Sequence, residues 1–399
     1  MLPTITPLKN VRALDVSRVL AGPFCGQVLG DLGADVIKVE RPRSGDETRQ
    51  WGPPFVGELS AYYLSCNRNK RAITLDLSRP EGQTVFQQLI AKSDVLIENF
   101  RTSTTRKLGV TPAQLWARNP KLVICSISGF GRDGPWQDRP GYDFAIQALS
   151  GLMSITGPAE GPPFKVGVAV TNVLTGLYSA IAILACLKAR EESEHGYAID
   201  LSLLDCALAA QVNVAQAFLS SGEVPPRQGN AHLQIVPYQL FRTSDGWLVL
   251  AVGNDAQWKR FCAAAEKPDL GQDPRFATNP LRVENREELE PIGQAILQTK
   301  TTQEWEDLLE AANVPRAPVN DYDKLFSSEH AKERGLRVTI TDSRGNPVDL
   351  LGSPFQFQET SLPEPTAPPT LSQHTEEVLG ELLGMPSEQI RHLRNEGIV

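Results

Sequence analysis

Over its first 130 residues the chain alternates short, continuously apolar runs with longer amphipathic ones, and nothing else in the sequence constrains the fold as tightly. VRALDVS, DVIKVE, AITLDL, DVLIENF and KLVICSIS read as strands, and PFCGQVLGDLG, PEGQTVFQQLIAKS and TPAQLWARNP as helices among them. A strand apolar on both sides needs cover on both faces, which parallel sheets have and one-sided antiparallel sheets lack. With right-handed crossovers the expected fold is α/β, a doubly wound parallel sheet.

The stretch KVGVAVTNVLTGLYSAIAILACLKAREE, Lys165 to Glu192, reads as a buried strand, a sharp turn and a long apolar helix, with the amide of Asn172 at the joint. Asn172 or Thr171 is there either as a helix N-cap or as a reactive group aimed at the positive end of a helix dipole. YAIDLSLLD reads as a further strand. The texture then changes. VPYQLFRTSDGWLVLAVG forms two alternating runs around Asp245-Gly246, a hairpin signal, followed by helices near 255–265, 286–298 and 302–312, the last opened by Thr301 and Glu304 at capping-box spacing. These textures divide the chain into 1–205, a linker over 206–225, a smaller α+β domain over 226–325, and a Pro-rich tether with two terminal helices over 326–399.

Composition narrows the function. A formal charge of −8 disfavours nucleic acid or an anionic membrane as the main partner, so an anionic ligand must be met by a local basic cluster. Two basic runs, VIKVERPRSGDETR and CNRNKRAITLDL, abut predicted strand ends and make Arg41 and Arg71 candidate phosphate contacts. The six cysteines show no CxxC pair and the five histidines no metal spacing, so a reducing compartment and no metal site are expected. The most apolar run, Val173 to Leu187, is short for a membrane span. The N-terminus lacks a targeting pattern, so a cytoplasmic or mature organellar protein is expected. RVLAGPFCG is not a dinucleotide glycine fingerprint even though Glu40 ends the second strand where a ribose-binding acid would sit. Walker A and G-x-S-x-G motifs are missing as well.

LAGPFCGQVLGDLGADVIKVERPRSGDETR, NRNKRAITLDL, DVLIENF, ICSISGFGRDGPWQDRPGYD and the region around Asn172 resemble, in order and in one register, the family III CoA-transferases. GNAHLQIVPYQLFRTSDGWLVLAVGN and NPLRVENREEL are most similar to the succinyl-CoA:glutarate branch. The resemblance implies a Rossmann-type large domain built from both chain ends, a small domain between them, and an interlocked homodimer. It also implies CoA and its thioesters as substrates without a tightly bound cofactor. The implied CoA contacts are Leu20, Ala21, Arg41, Leu75, Asn99, Phe100, Lys107, Arg139 and Tyr142, and the family's flap corresponds to RQGNAH around Gly229. Gln147, His232 and Gln234 are candidates for reading the acceptor acid.

In this family the residue at position 172 is an aspartate whose carboxylate attacks the donor thioester; here it is Asn172. An amide nitrogen is delocalised and barely nucleophilic, so the chain is expected to be an inactive or impaired CoA-transferase for short dicarboxylyl-CoA thioesters. Three explanations stay open: a substitution that keeps shape while stopping turnover, a natural pseudoenzyme, or a nucleophile elsewhere, Asp143 being the nearest other acid. The rival readings are a silent acyl-CoA-binding protein and a same-fold acyl-CoA racemase. Racemases of this fold carry a histidine where Tyr142 stands.

Overall fold

The computed structural model describes residues 2–399. The apolar runs form one parallel sheet of β1 Arg12–Asp15, β2 Asp35–Glu40, β3 Lys70–Thr74, β4 Val95–Glu98, β5 Val123–Ser128 and β6 Ala198–Ser202. The strand order is β3-β2-β1-β4-β5-β6. The chain therefore winds outward from β1, returns, and winds outward the other way from β4. At this switch β1 and β4 pair in parallel, Ala13 with Val95 and Asp15 with Ile97. The crevice beyond the carboxyl ends of strands at a switch point is where open α/β sheets bind ligands.

The apolar character of the central strands has the expected cause, since β1, β2, β4 and β5 each feed two cores. Leu14, Ile37, Ile73, Leu96 and Ile124 face one cluster. Ala13, Val36, Val95, Val123 and Cys125 face the other. The second core is covered by α1 Ala21–Asp31 and, after α2 Pro80–Ile90, α3 Thr102–Leu108, α4 Pro112–Trp116 and α5 Asp143–Leu149, by the long α6 Val170–Ala189. At 20 residues α6 is long and apolar enough to cross a membrane, longer than the run read from the sequence. One face of it, Thr175, Gly176, Ser179, Ala180, Ile183 and Leu187, is buried at helical spacing within this fold.

Two local readings are corrected. Lys165–Ala169 is not a strand, and α6 begins at Val170, so Asn172 sits inside the first turn and is not the N-cap. The strand read as YAIDLSLLD stops at Ser202, whose hydroxyl accepts from Asp205 N (3.0 Å) and opens α7 Leu203–Ala209, followed by α8 Val212–Ser221.

By contacts the chain forms two compact units. One, Met153–Lys165 with Ser221–Glu329, carries the hairpin read from the sequence: β7 Tyr238–Arg242 pairs antiparallel with β8 Trp247–Ala251 around Asp245-Gly246. Around it lie α9 Asp255–Ala264, α10 Arg286–Leu297, α11 Thr302–Ala311, with the Thr301/Glu304 capping box formed, and β9 Arg316–Pro318, which joins the sheet beside β8. The other unit holds the six-stranded sheet and His330–Val399. There the segment read as a tether contains a second hairpin, β10 Arg337–Thr341 with β11 Pro347–Leu351. The two terminal helices, α12 Thr375–Leu383 and α13 Ser387–Asn395, bury Val378, Leu379, Ile390 and Leu393 in the first core beside Phe86 and Leu89 of α2.

Candidate functional site

A cleft of about 1100 Å³ opens where the strands end: Val16 and Ser17 follow β1, Arg41 follows β2, Leu75 follows β3, Asn99 and Phe100 follow β4, and Gly129 follows β5. Its lining mixes basic and acidic side chains, and what distinguishes it is the set of basic groups left without an ion-pair partner. Among the described residues Arg41, Arg43, Arg101, Lys107 and Arg139 line it and make no ion pair within 4.0 Å, and all five are exposed. Arg139 lies over the Trp136 ring, 4.6 Å from its centroid. Arg132 also lines the cleft, but it is committed, donating to Glu98 Oε1 (2.5 Å) and Phe100 O (2.6 Å). Burial pushes the Glu98 carboxyl above its ordinary value even with Arg132 beside it. Unpaired guanidinium and ammonium groups around a cleft at a switch point suit an extended, multiply anionic ligand.

Asn172 reaches this cleft through a chain of backbone contacts. β5 ends at Ser128, and Gly129 lies against Gly141 so closely that a Cβ on Gly129 would stand 2.6 Å from the Gly141 Cα. That approach fixes Tyr142 and the start of α5, so that Asp143 points at the first turn of α6. Its Oδ1 accepts from Thr171 N (2.9 Å), Thr171 Oγ1 (2.6 Å) and Asn172 N (3.3 Å). The N-cap of α6 is Ala169, which has no side chain able to cap, so the cap comes from another helix. Asp143 is therefore a structural partner of the Asn172 turn. Gln147, fully buried, completes the support: Nε2 donates to Asp143 Oδ2 (2.6 Å) and Oε1 accepts from Val166 N (2.8 Å). It is thereby removed as a candidate reader of the acceptor.

α1 begins on the same cleft. Gly176 of α6 faces it so tightly that a Cβ there would lie 2.7 Å from Ala21 O, so the two helix starts are neighbours because position 176 has no side chain. Before α1 the chain passes through Ser17, Arg18 and Val19, and Val19 has φ 71°.

The other sequence candidates are placed as follows. Ala21, Arg41, Leu75, Asn99, Phe100, Lys107, Arg139, Tyr142 and Asn172 all line the one cleft; Leu20 is buried beside it and does not. The Asn99 amide is occupied, accepting from Arg18 N (3.1 Å) and donating to Arg18 O (2.9 Å). Arg71 is corrected. It lies near the start of β3, whereas the cleft is at the end, and its guanidinium is held by Asp35, Glu377 and Glu381. Glu40 binds Arg49 at 2.9 and 2.6 Å and is no ribose reader. In the second unit His232 Nδ1 accepts from Gln234 N (3.0 Å). Sequence reasoning missed Lys38 and Asp46, although a lysine inside the otherwise apolar DVIKVE run signals a buried partner.

Fold and site thus define an α/β protein with a cleft at its switch point that carries unpaired basic groups, and with a polar position on a helix start within it. Residues 8–375 match CoA-transferase family III. The chain is 43% identical over 387 residues to the succinate–glutarate CoA-transferase of Agrobacterium fabrum, covering 94% of this chain and 96% of that one. It is 39% identical to the succinyl-CoA:glutarate CoA-transferase of Homo sapiens, covering 99% and 90%. A solved CaiB/BaiF family protein from Brucella suis superposes with a TM-score of 0.84 at 40% identity, over 95% of this chain and 100% of that one. The chain belongs to CoA-transferase family III, enzymes whose substrates are CoA thioesters.

Proposed function

We propose that this fold moves CoA between succinyl-CoA and a dicarboxylic acid such as glutarate, with position 172 as the seat of the covalent intermediate, and that Asn172 blocks the first step. The observation that carries the reading is Asn172 in the first turn of α6, inside the cleft that holds the unpaired basic groups. The relatives named for glutarate, and a 38% identical succinyl-CoA:mesaconate CoA-transferase of Haloarcula hispanica, support the donor and the dicarboxylate class. With aspartate at 172, its carboxylate attacks the succinyl carbonyl, the C–S bond breaks, and a mixed anhydride and CoA thiolate form. The thiolate attacks the aspartyl carbonyl, expelling succinate and leaving an aspartyl-CoA thioester. The acceptor carboxylate attacks that thioester, giving a new anhydride and the thiolate, which takes the acyl group and regenerates aspartate. Arg41, Lys107 and Arg139 hold the nucleotide end, and the dipole of α6 favours the anionic carboxylate at its start.

Asn172 favours one rival, a protein that binds acyl-CoA without turnover. Succinyl-CoA with a panel of dicarboxylates, run on this chain and on Asn172→Asp, separates the two. Transfer by the aspartate form alone supports the proposal; binding by both forms without transfer by either sinks it.

A homodimer accounts for a further feature. Phe144 and Leu149 on α5, Leu177 and Ile181 on α6, Leu208 on α7 and Leu219 on α8 are all exposed. Apolar surface of that extent on a soluble enzyme marks an interface. A monomeric mass by light scattering at micromolar concentration would remove this part of the reading.

A further inference from the structure

Val19 is β-branched and stands at φ 71°, where its Cβ is crowded against the backbone. Such a conformation persists only when its surroundings over-determine it. The surroundings here are specific. Asp46 accepts from Val19 N at 3.2 and 3.3 Å, and Lys38 Nζ donates to Ser17 O (3.2 Å) and to Asp46 Oδ2 (3.0 Å). Asn99 holds both backbone groups of Arg18, and Asp15 accepts from Ser17 N (3.1 Å). Every residue of the Ser17–Val19 turn is thus gripped by side chains from neighbouring segments.

The Lys38–Asp46 pair has no accessible side-chain surface. Apolar side chains of similar volume often serve stability as well as a buried ion pair does, which directs attention to the groups this pair holds in place. Apart from Thr48 N and Oγ1, which also donate to Asp46, its bonds go to the turn before α1. Val19 and Ala21 both line the cleft.

We propose that Asp46, anchored by Lys38, is a positioning residue for the thioester: it holds Val19 left-handed and so fixes the path by which the chain leaves β1 and enters α1 along the cleft wall. The functional half of this inference rests on the CoA-binding reading above; the conformational half does not.

The test uses the full chain, with CoA titrated calorimetrically and amide exchange followed over residues 16–24. Asp46→Asn is expected to weaken CoA binding on the order of tenfold and to speed exchange in that segment. Adding Val19→Gly should restore affinity, because glycine takes positive φ unaided, while the melting temperature stays depressed because Lys38 still lacks its partner. A lower melting temperature with unchanged affinity and exchange overturns the proposal, as does a double variant that binds no better than Asp46→Asn. Should Asp46→Asn fail to fold, Val19→Gly and Val19→Ala decide: the clamp requires the glycine variant to be the more stable, and the reverse order overturns it. If the unmodified chain does not bind CoA, the proposed function falls, and the exchange rate in Asp46→Asn alone sustains or overturns the clamp.

Discussion

Two helices, α1 and α6, start side by side on one cleft, and they are held in opposite ways. The turn into α1 is strained at Val19 and gripped by a fully buried ion pair and an amide. The turn into α6, which carries position 172, has no left-handed non-glycine residue and depends on one carboxylate, Asp143, reaching over from α5. The difference separates a wall from a working position. The α1 turn is over-determined so that it does not move, whereas the α6 turn leaves the side chain at 172 free of structural duty.

The comparison breaks most severely at the buried pair. Asp46→Leu leaves Lys38 charged and unpaired, and should cost about 3–5 kcal/mol of unfolding free energy in a denaturant titration. The double change Lys38→Met with Asp46→Leu should return most of that stability without returning CoA affinity, which sharpens the distinction between holding the fold and shaping the cleft. Gly176→Ala is expected next, at roughly 1–3 kcal/mol, because the added methyl meets Ala21 O and must push the helices apart. Asp143→Ala removes the carboxylate that caps the α6 start and should cost about 1–2 kcal/mol, with Asp143→Asn intermediate because one acceptor oxygen remains.

Acid provides a fourth measurement on the same comparison. Burial alone would raise the Asp46 carboxyl, but Lys38 and the Thr48 bonds outweigh it and hold it below its ordinary value. The folded chain therefore takes up this proton later than the unfolded chain. The stabilisation is complete above the unfolded value of about 3.9 and is lost as pH falls through the lower folded value. Stability measured over that window should fall less steeply in the double apolar variant than in the unmodified chain. The smallest effect is expected at Arg71→Ala, a partly exposed ion-pair change costing about 1 kcal/mol or less. Its CoA affinity should be unchanged, whereas Arg41→Ala should weaken binding.

Most of the candidate contacts were legible through the family resemblance, and Arg41 also from its place beside a strand end. The structure gives the physical reason they converge: Arg41, Leu75, Asn99 and Phe100 fall at the carboxyl ends of β2, β3 and β4, and the cleft assembles around them. Arg71 misled because a basic run beside a strand does not say which end of the strand it flanks. The hairpin Arg337–Thr341 with Pro347–Leu351 lay inside the segment read as a tether although its alternation was present, and α3, Thr102–Leu108, was too short and polar to show a period.

By itself the sequence determined the parallel α/β class, the family and the chemical oddity of an amide at position 172, since these depend on periodicity, motif order and residue type, which are local properties of the chain. Only the tertiary structure decided that Asp143 caps α6, that Asn99 and Gln147 are spent on backbone, that Gly176 lets two helix starts meet, and that Lys38 and Asp46 hold Val19. Those roles join residues distant in the chain, 81 positions from Arg18 to Asn99 and further from Ala21 to Gly176, and a contact depends on separation in space, which no local pattern records.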